Sequence, residues 1–193
     1  MKTELEATFP NIHKDDIRKK LRNSGAELLR SEFMQKRYAF RLPKGNHING
    51  GWARVRDESD KITMSIKVVD GDKINNQKEV CLKVDSFDEA VYFLTLLGCE
   101  KKAYQETKRE LWVLDNVEIT IDEWPFLEPF LEVEGKSEEE VMEVCKKIGL
   151  KYDQALFCAV DKLYSLKYNV SEDIINNHTP EIVFNGKNPF SKK

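Results

Sequence analysis

The chain has 193 residues, 40% hydrophobic and 34% charged, and its 31 basic and 34 acidic side chains leave a net charge of −3. That length suits one domain with a sizeable core, and the near-balance of charge argues against DNA as a partner, because a DNA-binding domain carries a basic excess. No stretch is apolar enough to span a membrane, no apolar leader opens the chain, and Cys81, Cys99, Cys145 and Cys158 are scattered, so a cytoplasmic protein with free thiols is expected. With His13, His47 and His178 isolated from one another, any metal would be held by oxygen.

The first segment, TELEATF at 3–9, alternates Glu4 and Glu6 with Leu5, Ala7 and Phe9, as a strand with two unlike faces. A helix is predicted from about 13 to 23, with Asp15 and Asp16 in its first turn and Gly25 past its end. QKRYAFRLP at 35–43 can turn Gln35, Arg37, Ala39 and Arg41 to one side, and LPKGNHINGG at 42–51 reads as a loop. Trp52, Arg54 and Arg56 then alternate with Ala53 and Val55, and Ser65 and Lys67 with Met64, Ile66 and Val68. In the next strand Glu79, Cys81 and Lys83 oppose Val80, Leu82 and Val84.

A second helix opens with a capping box from Ser86 to Glu89, shows Val91 and Leu94 on its apolar face, and stops at Gly98. Thr107 and Arg109 share a face of the following strand, with Lys108 pointing the other way. After a turn at Asp115-Asn116, Glu118, Thr120 and Asp122 alternate with Val117, Ile119 and Ile121. Glu132 and Glu134 likewise alternate with Leu131 and Val133. A third helix has Ser137 and Glu140 as its box, Val141, Val144, Cys145 and Ile148 as its stripe, and Gly149 as its stop. A fourth is predicted from about 153 to 168. The tail from there to 193 is poorly periodic, although Ile182, Val183 and Phe184 suggest that part of it packs back.

These elements imply an α+β fold with about eight mostly antiparallel strands, whose apolar faces the amphipathic helices can cover. The charged faces then either meet water or line the inside of a closed barrel. A solvated sheet face is the commoner arrangement. Against it stand like-charged pairs at i, i+2: Glu4 with Glu6, Arg54 with Arg56, and Glu132 with Glu134. Such pairs repel one another, and a divalent cation or a phosphate would relieve them.

In order along the chain, the E-x-E of Glu4 and Glu6, the R-x-R of Arg54 and Arg56, the lone Lys67 and the closing E-x-E of Glu132 and Glu134 resemble the CYTH family, the triphosphate tunnel metalloenzymes. Class IV adenylyl cyclases, thiamine triphosphatases and inorganic triphosphatases belong to that family. The resemblance runs from Glu4 to about Tyr168, so residues 1–168 are expected to form the domain and 169–193 a tail partly packed on it. It implies a closed antiparallel eight-stranded β-tunnel with flanking α-helices.

By the same resemblance Glu4, Glu6, Asp122, Glu132 and Glu134 would hold Mg²⁺ or Mn²⁺, and Arg54, Arg56, Lys67 and Arg109 would clamp a triphosphate. Glu4, Glu6, Lys67 and Arg109 are the implied catalytic residues, and Glu79 matches a further inward acid. Thr8, Lys83, Thr107 and Glu118 are also expected to face the tunnel. The sequence departs from the family twice, with Thr8 and Thr107 standing where lysines are usual, and Arg37 and Arg41 are the candidates to restore that charge. The implied activity is metal-dependent hydrolysis of a triphosphate-bearing small molecule such as ATP or tripolyphosphate. Cyclisation of ATP is one alternative, and a non-catalytic polyphosphate-binding or nucleotide-binding module is the other. No DNA or membrane partner is expected, and a homodimer is one possible assembly.

Overall fold

A computed structural model describes residues 1–191; Lys192 and Lys193, the end of the expected tail, lie outside the described residues. Among the described residues nine strands and five α-helices follow one another as β1 (Lys2–Phe9), α1 (Lys14–Asn23), β2 (Glu27–Arg41), β3 (Gly51–Asp57), β4 (Ile62–Val69), β5 (Gln77–Val84), α2 (Phe87–Leu96), β6 (Glu100–Leu114), β7 (Val117–Glu123), β8 (Phe130–Gly135), α3 (Glu138–Lys147), α4 (Val160–Tyr168), α5 (Glu172–Asn177) and β9 (Glu181–Ile182). The sheet order is β2-β3-β4-β5-β1-β8-β7-β6-β9, and pairing of β2 with β6 closes the first eight strands into an antiparallel barrel. The two-residue β9 joins β6 in parallel at Tyr104 and Gln105.

Alternation along the strands sets what lies inside. Glu4, Glu6 and Thr8 face the barrel interior, while Ala7 and Phe9 sit in the main core with Ile119, Ile121, Leu131 and Val133. Helices α1 and α3 cover that core from outside with Ile17, Leu21, Val141 and Val144. Helix α2 covers the other side, packing Ala90, Val91 and Leu94 on Phe40, Ala53 and Val55. Local signals start and stop these helices. The Ser86 and Ser137 side chains each accept a backbone N–H three residues on, both at 3.2 Å. The turn between β6 and β7 places both Asp115 and Asn116 at positive φ, 53° and 65°, as a tight hairpin requires.

The predicted fourth helix begins late. Residues 152–154 form a single 3₁₀ turn and the helix itself starts at Val160. Between them Leu156 exchanges two backbone hydrogen bonds with Thr8, at 2.9 and 2.8 Å, so this stretch is extended against β1. Beyond α4 the chain remains packed. Trp124, Phe130, Leu163, Tyr164, Ile175, Ile182 and Phe190 form a third apolar cluster, in which Phe190 stacks on Tyr164 at 4.9 Å.

The barrel is unevenly sewn. Strand β1 pairs with β8 from Leu5 to Phe9 but with β5 only from Lys2 to Glu4. Past Glu79 the inner face of β5 therefore has no neighbour on that side. Cys81 and Lys83 are exposed as a result, and Lys83, expected inside, does not line the tunnel cavity.

Candidate active site

The closed barrel encloses a cavity of about 1260 Å³. Its lining includes Glu4, Glu6, Arg37, Arg41, Arg54, Arg56, Lys67, Glu79, Arg109, Glu118, Glu132 and Glu134, so most of the residues singled out in the sequence meet in one space. Asp122 and Thr107 lie just behind that surface, buried and bonded to residues that line it. Thr8 is buried with its hydroxyl unpaired. Lys108 points outward, over Phe184 at 4.7 Å and to Glu123 at 3.4 Å, so it does not supply the charge missing at Thr107.

Opposite charges interleave across the strands. Arg109 donates to both oxygens of Asp122 at 2.7 Å and to Glu132 at 2.8 Å. Arg54 donates to Glu79 at 2.7 Å, and Arg56 to Glu58 at 2.9 Å. Lys67 lies 2.8 Å from Glu4 Oε2, at an angle that leaves this oxygen without a hydrogen bond. Burial opposes the charge on Arg109, but Asp122 and Glu132 hold its pKa well above the usual value. Arg56 goes the other way: burial and the nearby Arg54 bring it down to about 10.

Arg37 is the exception, since it has no carboxylate. It is 6% exposed, donates from Nη2 to Gln35 Oε1 at 3.0 Å and Thr107 Oγ1 at 2.6 Å, and lies over the Trp124 ring at 4.6 Å. In the ladder it stands directly opposite Arg56. Like charges opposed in this way repel. Burial, then Arg56, Arg54 and Arg109, push its pKa well below the usual range. Its Nε, like that of Arg54, is buried without an acceptor. A polyanion fits such a cluster, because phosphate oxygens satisfy guanidinium forks and offset their mutual repulsion.

The carboxylates make the complementary case. Burial pushes Glu4 up to about 7 against the opposing charge of Lys67, and the neighbouring Glu79 adds to this. Glu79 itself is held down to about 2, since Arg54 outweighs its burial. Burial and Glu6 raise both Glu132, well above the usual range, and Glu134. Among the described residues Glu6 has no ion pair, only the amide of Gln77 at 3.5 Å, although its charge acts on Lys67 and Arg109. Hard oxygen donors crowded in this way suit Mg²⁺ or Mn²⁺. Among the described residues, however, no three His, Cys, Asp or Glu side chains converge as a preformed metal cage.

Several site residues escaped the sequence reading. Glu58 shares the inward parity of Arg54 and Arg56, a signal present in WARVRDE itself. Gln77 is a fully buried polar group on an inward position that charge pairing does not reveal; Gln35, on the face expected inward with Arg37, is fully buried as well. Lys102 and Asp161 line the same cavity for reasons of backbone irregularity and tertiary packing. Trp52 and Trp124 did not escape it: their place on the charged sides of their strands makes one of them a candidate for the tunnel mouth, and both line the cavity.

A closed antiparallel tunnel with arginines, lysine and carboxylates inside and helices outside is the architecture of a triphosphate tunnel protein. The chain belongs to the CYTH domain family, whose model matches residues 3–164. No curated protein matches it significantly in sequence. Among solved structures, it is similar to a conserved hypothetical protein from Pyrococcus furiosus, with 22% identity, 83% of this chain and 99% of that chain covered, and a TM-score of 0.69. It is also similar to a candidate adenylate cyclase from Vibrio parahaemolyticus, at 13% identity over 85% and 98% of the two chains, with a TM-score of 0.71. A third, from Hippeastrum, is a candidate adenylyl cyclase with a dominant triphosphatase activity, at 10% identity over 87% and 97%, with a TM-score of 0.56. At these identities the likeness is one of fold. No described helix is long and apolar enough to cross a membrane.

Proposed function

We propose that this protein is a metal-dependent triphosphatase acting on a triphosphate-bearing small molecule inside the tunnel. The observation that carries the reading is Arg37: a buried guanidinium with no carboxylate, opposite Arg56 and beside Arg54 and Arg109, in a cavity walled on its other side by crowded carboxylates. Arg37, Arg54, Arg56, Lys67 and Arg109 would hold the phosphate oxygens, with Arg37 supplying charge that Thr8 and Thr107 do not. Glu4, Glu6, Glu132 and Glu134 would hold Mg²⁺ or Mn²⁺, with Asp122 orienting Arg109 through its two hydrogen bonds. A divalent ion there supplies charge neutralisation for phosphoryl transfer. The residues of the chain fix the phosphate chain in line and keep it from bulk water.

Cyclisation of ATP is the second reading, favoured by the fold shared with the Vibrio candidate cyclase. Hydrolysis is preferred because it needs only a water beside the phosphates, and the Hippeastrum relative couples the same fold to triphosphatase activity. A pure binding module is disfavoured, since an anion binder gains nothing from carboxylates lining the same cavity. The test is product analysis after incubation with ATP and, separately, tripolyphosphate, in Mg²⁺ or Mn²⁺. Inorganic phosphate with ADP or pyrophosphate is expected. Cyclic AMP with pyrophosphate would establish the cyclase, and binding without any product would establish the module.

A further inference from the structure

The cavity exceeds the roughly 300–1,000 Å³ of pockets that hold drug-sized ligands, so there is room in it for more than a phosphate chain. One of its mouths is built by residues that the phosphate-facing strands do not supply. The β2–β6 ladder slips there: Ala39 stands opposite Ala103, but Phe40 stands opposite Lys101, and Lys102 is the extra residue. A bulge of this kind re-aims a side chain. Strict alternation from Arg109 through Thr107 puts Lys102 outside the barrel, yet it lines the cavity.

Helix α5 meets Lys102 from across the mouth. Lys102 Nζ donates to Asn176 Oδ1 at 3.3 Å, and the Asn176 amide in turn donates to the carboxylate of Asp161. The next residue does the same for a second cation, as Arg41 Nη2 donates to the Asn177 main-chain oxygen at 3.0 Å. Burial lowers the pKa of Lys102, which Asp161 only partly restores.

Other carboxylates at this mouth are already engaged, Glu172 with Lys162 at 3.3 Å and Asp173 with His178 at 3.3 Å. Among the described residues neither Lys102 nor Arg41 has an ion-pair partner, so both keep N–H donors to spare. Ile175 and Trp52 add apolar surface alongside them. The family match ends at residue 164, so α5 lies outside it while Lys102, Arg41 and Asp161 lie within it.

We propose that this mouth selects the headgroup of the substrate. Lys102 and Arg41, held out by Asn176 and Asn177, donate hydrogen bonds to an uncharged, acceptor-rich group such as a nucleoside and disfavour a cationic one. The inference rests on the triphosphate reading above and deepens it to a nucleoside triphosphate.

The experiment compares KM for ATP, tripolyphosphate and thiamine triphosphate, whose headgroup is cationic, in the wild type, Lys102→Met and Arg41→Gln. The ratio of KM for ATP to KM for tripolyphosphate is expected to rise about tenfold in each variant, the loss of one charged hydrogen bond. The wild type is expected to prefer ATP to thiamine triphosphate. Arg41 is only half-buried, so its variant reports even where Lys102→Met folds poorly. An unchanged ratio, with the two KM values moving together or not at all, overturns the proposal, and so does a preference for thiamine triphosphate. If the wild type itself neither binds nor processes any of the three, the triphosphate reading falls and takes this one with it. That outcome is recognisable without any variant.

Discussion

Replacing Arg37 by methionine should make the protein more stable and less able to bind phosphate. The side chain is 6% exposed, faces Arg56 across the ladder and has no carboxylate. Its removal loses two hydrogen bonds of about 1 kcal/mol each. Gln35 and Thr107 remain bonded to one another at 3.1 Å, so neither is stranded. Against that loss, replacing poorly compensated buried charge by an apolar side chain of similar size stabilises by about 1–4 kcal/mol. The balance spans a loss of about 1 to a gain of about 2 kcal/mol, and the like charges of Arg56, Arg54 and Arg109 around the site favour the gain, which would raise Tm by up to about 8 °C for a chain of this length. With ligand the sign reverses, because a hydrogen bond to a charged phosphate oxygen is worth about 1.5–3 kcal/mol, or about 10- to 150-fold in Kd. Thermal melts without ligand, beside calorimetric titration with tripolyphosphate, read both effects. A lower Tm in the ligand-free variant, or an unchanged Kd, would refute the assignment of Arg37 as an anion site.

Three further outcomes are expected. Glu4 binds its proton more tightly in the folded chain, so its stabilising contribution is complete below its ordinary pKa of 4.5 and is lost as pH rises to about 7. Glu79 acts oppositely, its contribution present above 4.5 and lost as pH falls towards about 2. Urea midpoints of metal-free protein should therefore decline between about pH 5 and 7, and decline less in Glu4→Gln; equal slopes would count against the Glu4 shift. Arg109→Ala leaves Asp122 and Glu132 buried without their cation and should cost about 3–5 kcal/mol, visible as a large drop in Tm. Phe190→Ala empties the contact with Tyr164 and Tyr168 and should cost about 3 kcal/mol by chemical denaturation; a neutral result would mean that the C-terminal segment does not contribute to the core.

The tunnel was legible because its strands carry their instructions in a period of two. Arg54, Arg56, Lys67, Glu132 and Glu134 each fall on the face that alternation assigns, and the helix caps at Ser86 and Ser137 sit where their boxes place them. What was not legible depends on partners far away in the chain. Lys83 follows the inward parity but is exposed, because β1 does not extend to cover it. Lys102 breaks the parity because a bulge against β2 turns it round. The start of α4 was misplaced since Leu156 is captured by the backbone of Thr8, a contact that overrides local helix preference. Arg37 stands as a candidate for the missing lysine charge, but no sequence pattern shows that its guanidinium is buried without a carboxylate partner among the described residues.

The short seam between β1 and β5 bears on how the molecule is made. Strand β1 precedes the rest of the barrel along the chain, yet its ladder partners are Gln77 to Glu79 and Leu131 to Gly135. Until those residues appear, Glu4 and Glu6 meet none of the carboxylates of β5 and β8, and the apolar side of the strand has nothing to cover it. Pairings so distant along the chain form slowly, after the local hairpins of β3 to β5 and of β6 to β8. Insertion of β1 between β5 and β8 is then expected after those hairpins have formed. The same step sets Glu6 opposite Glu134, so the proposed divalent-ion site would be complete only once β1 is in place.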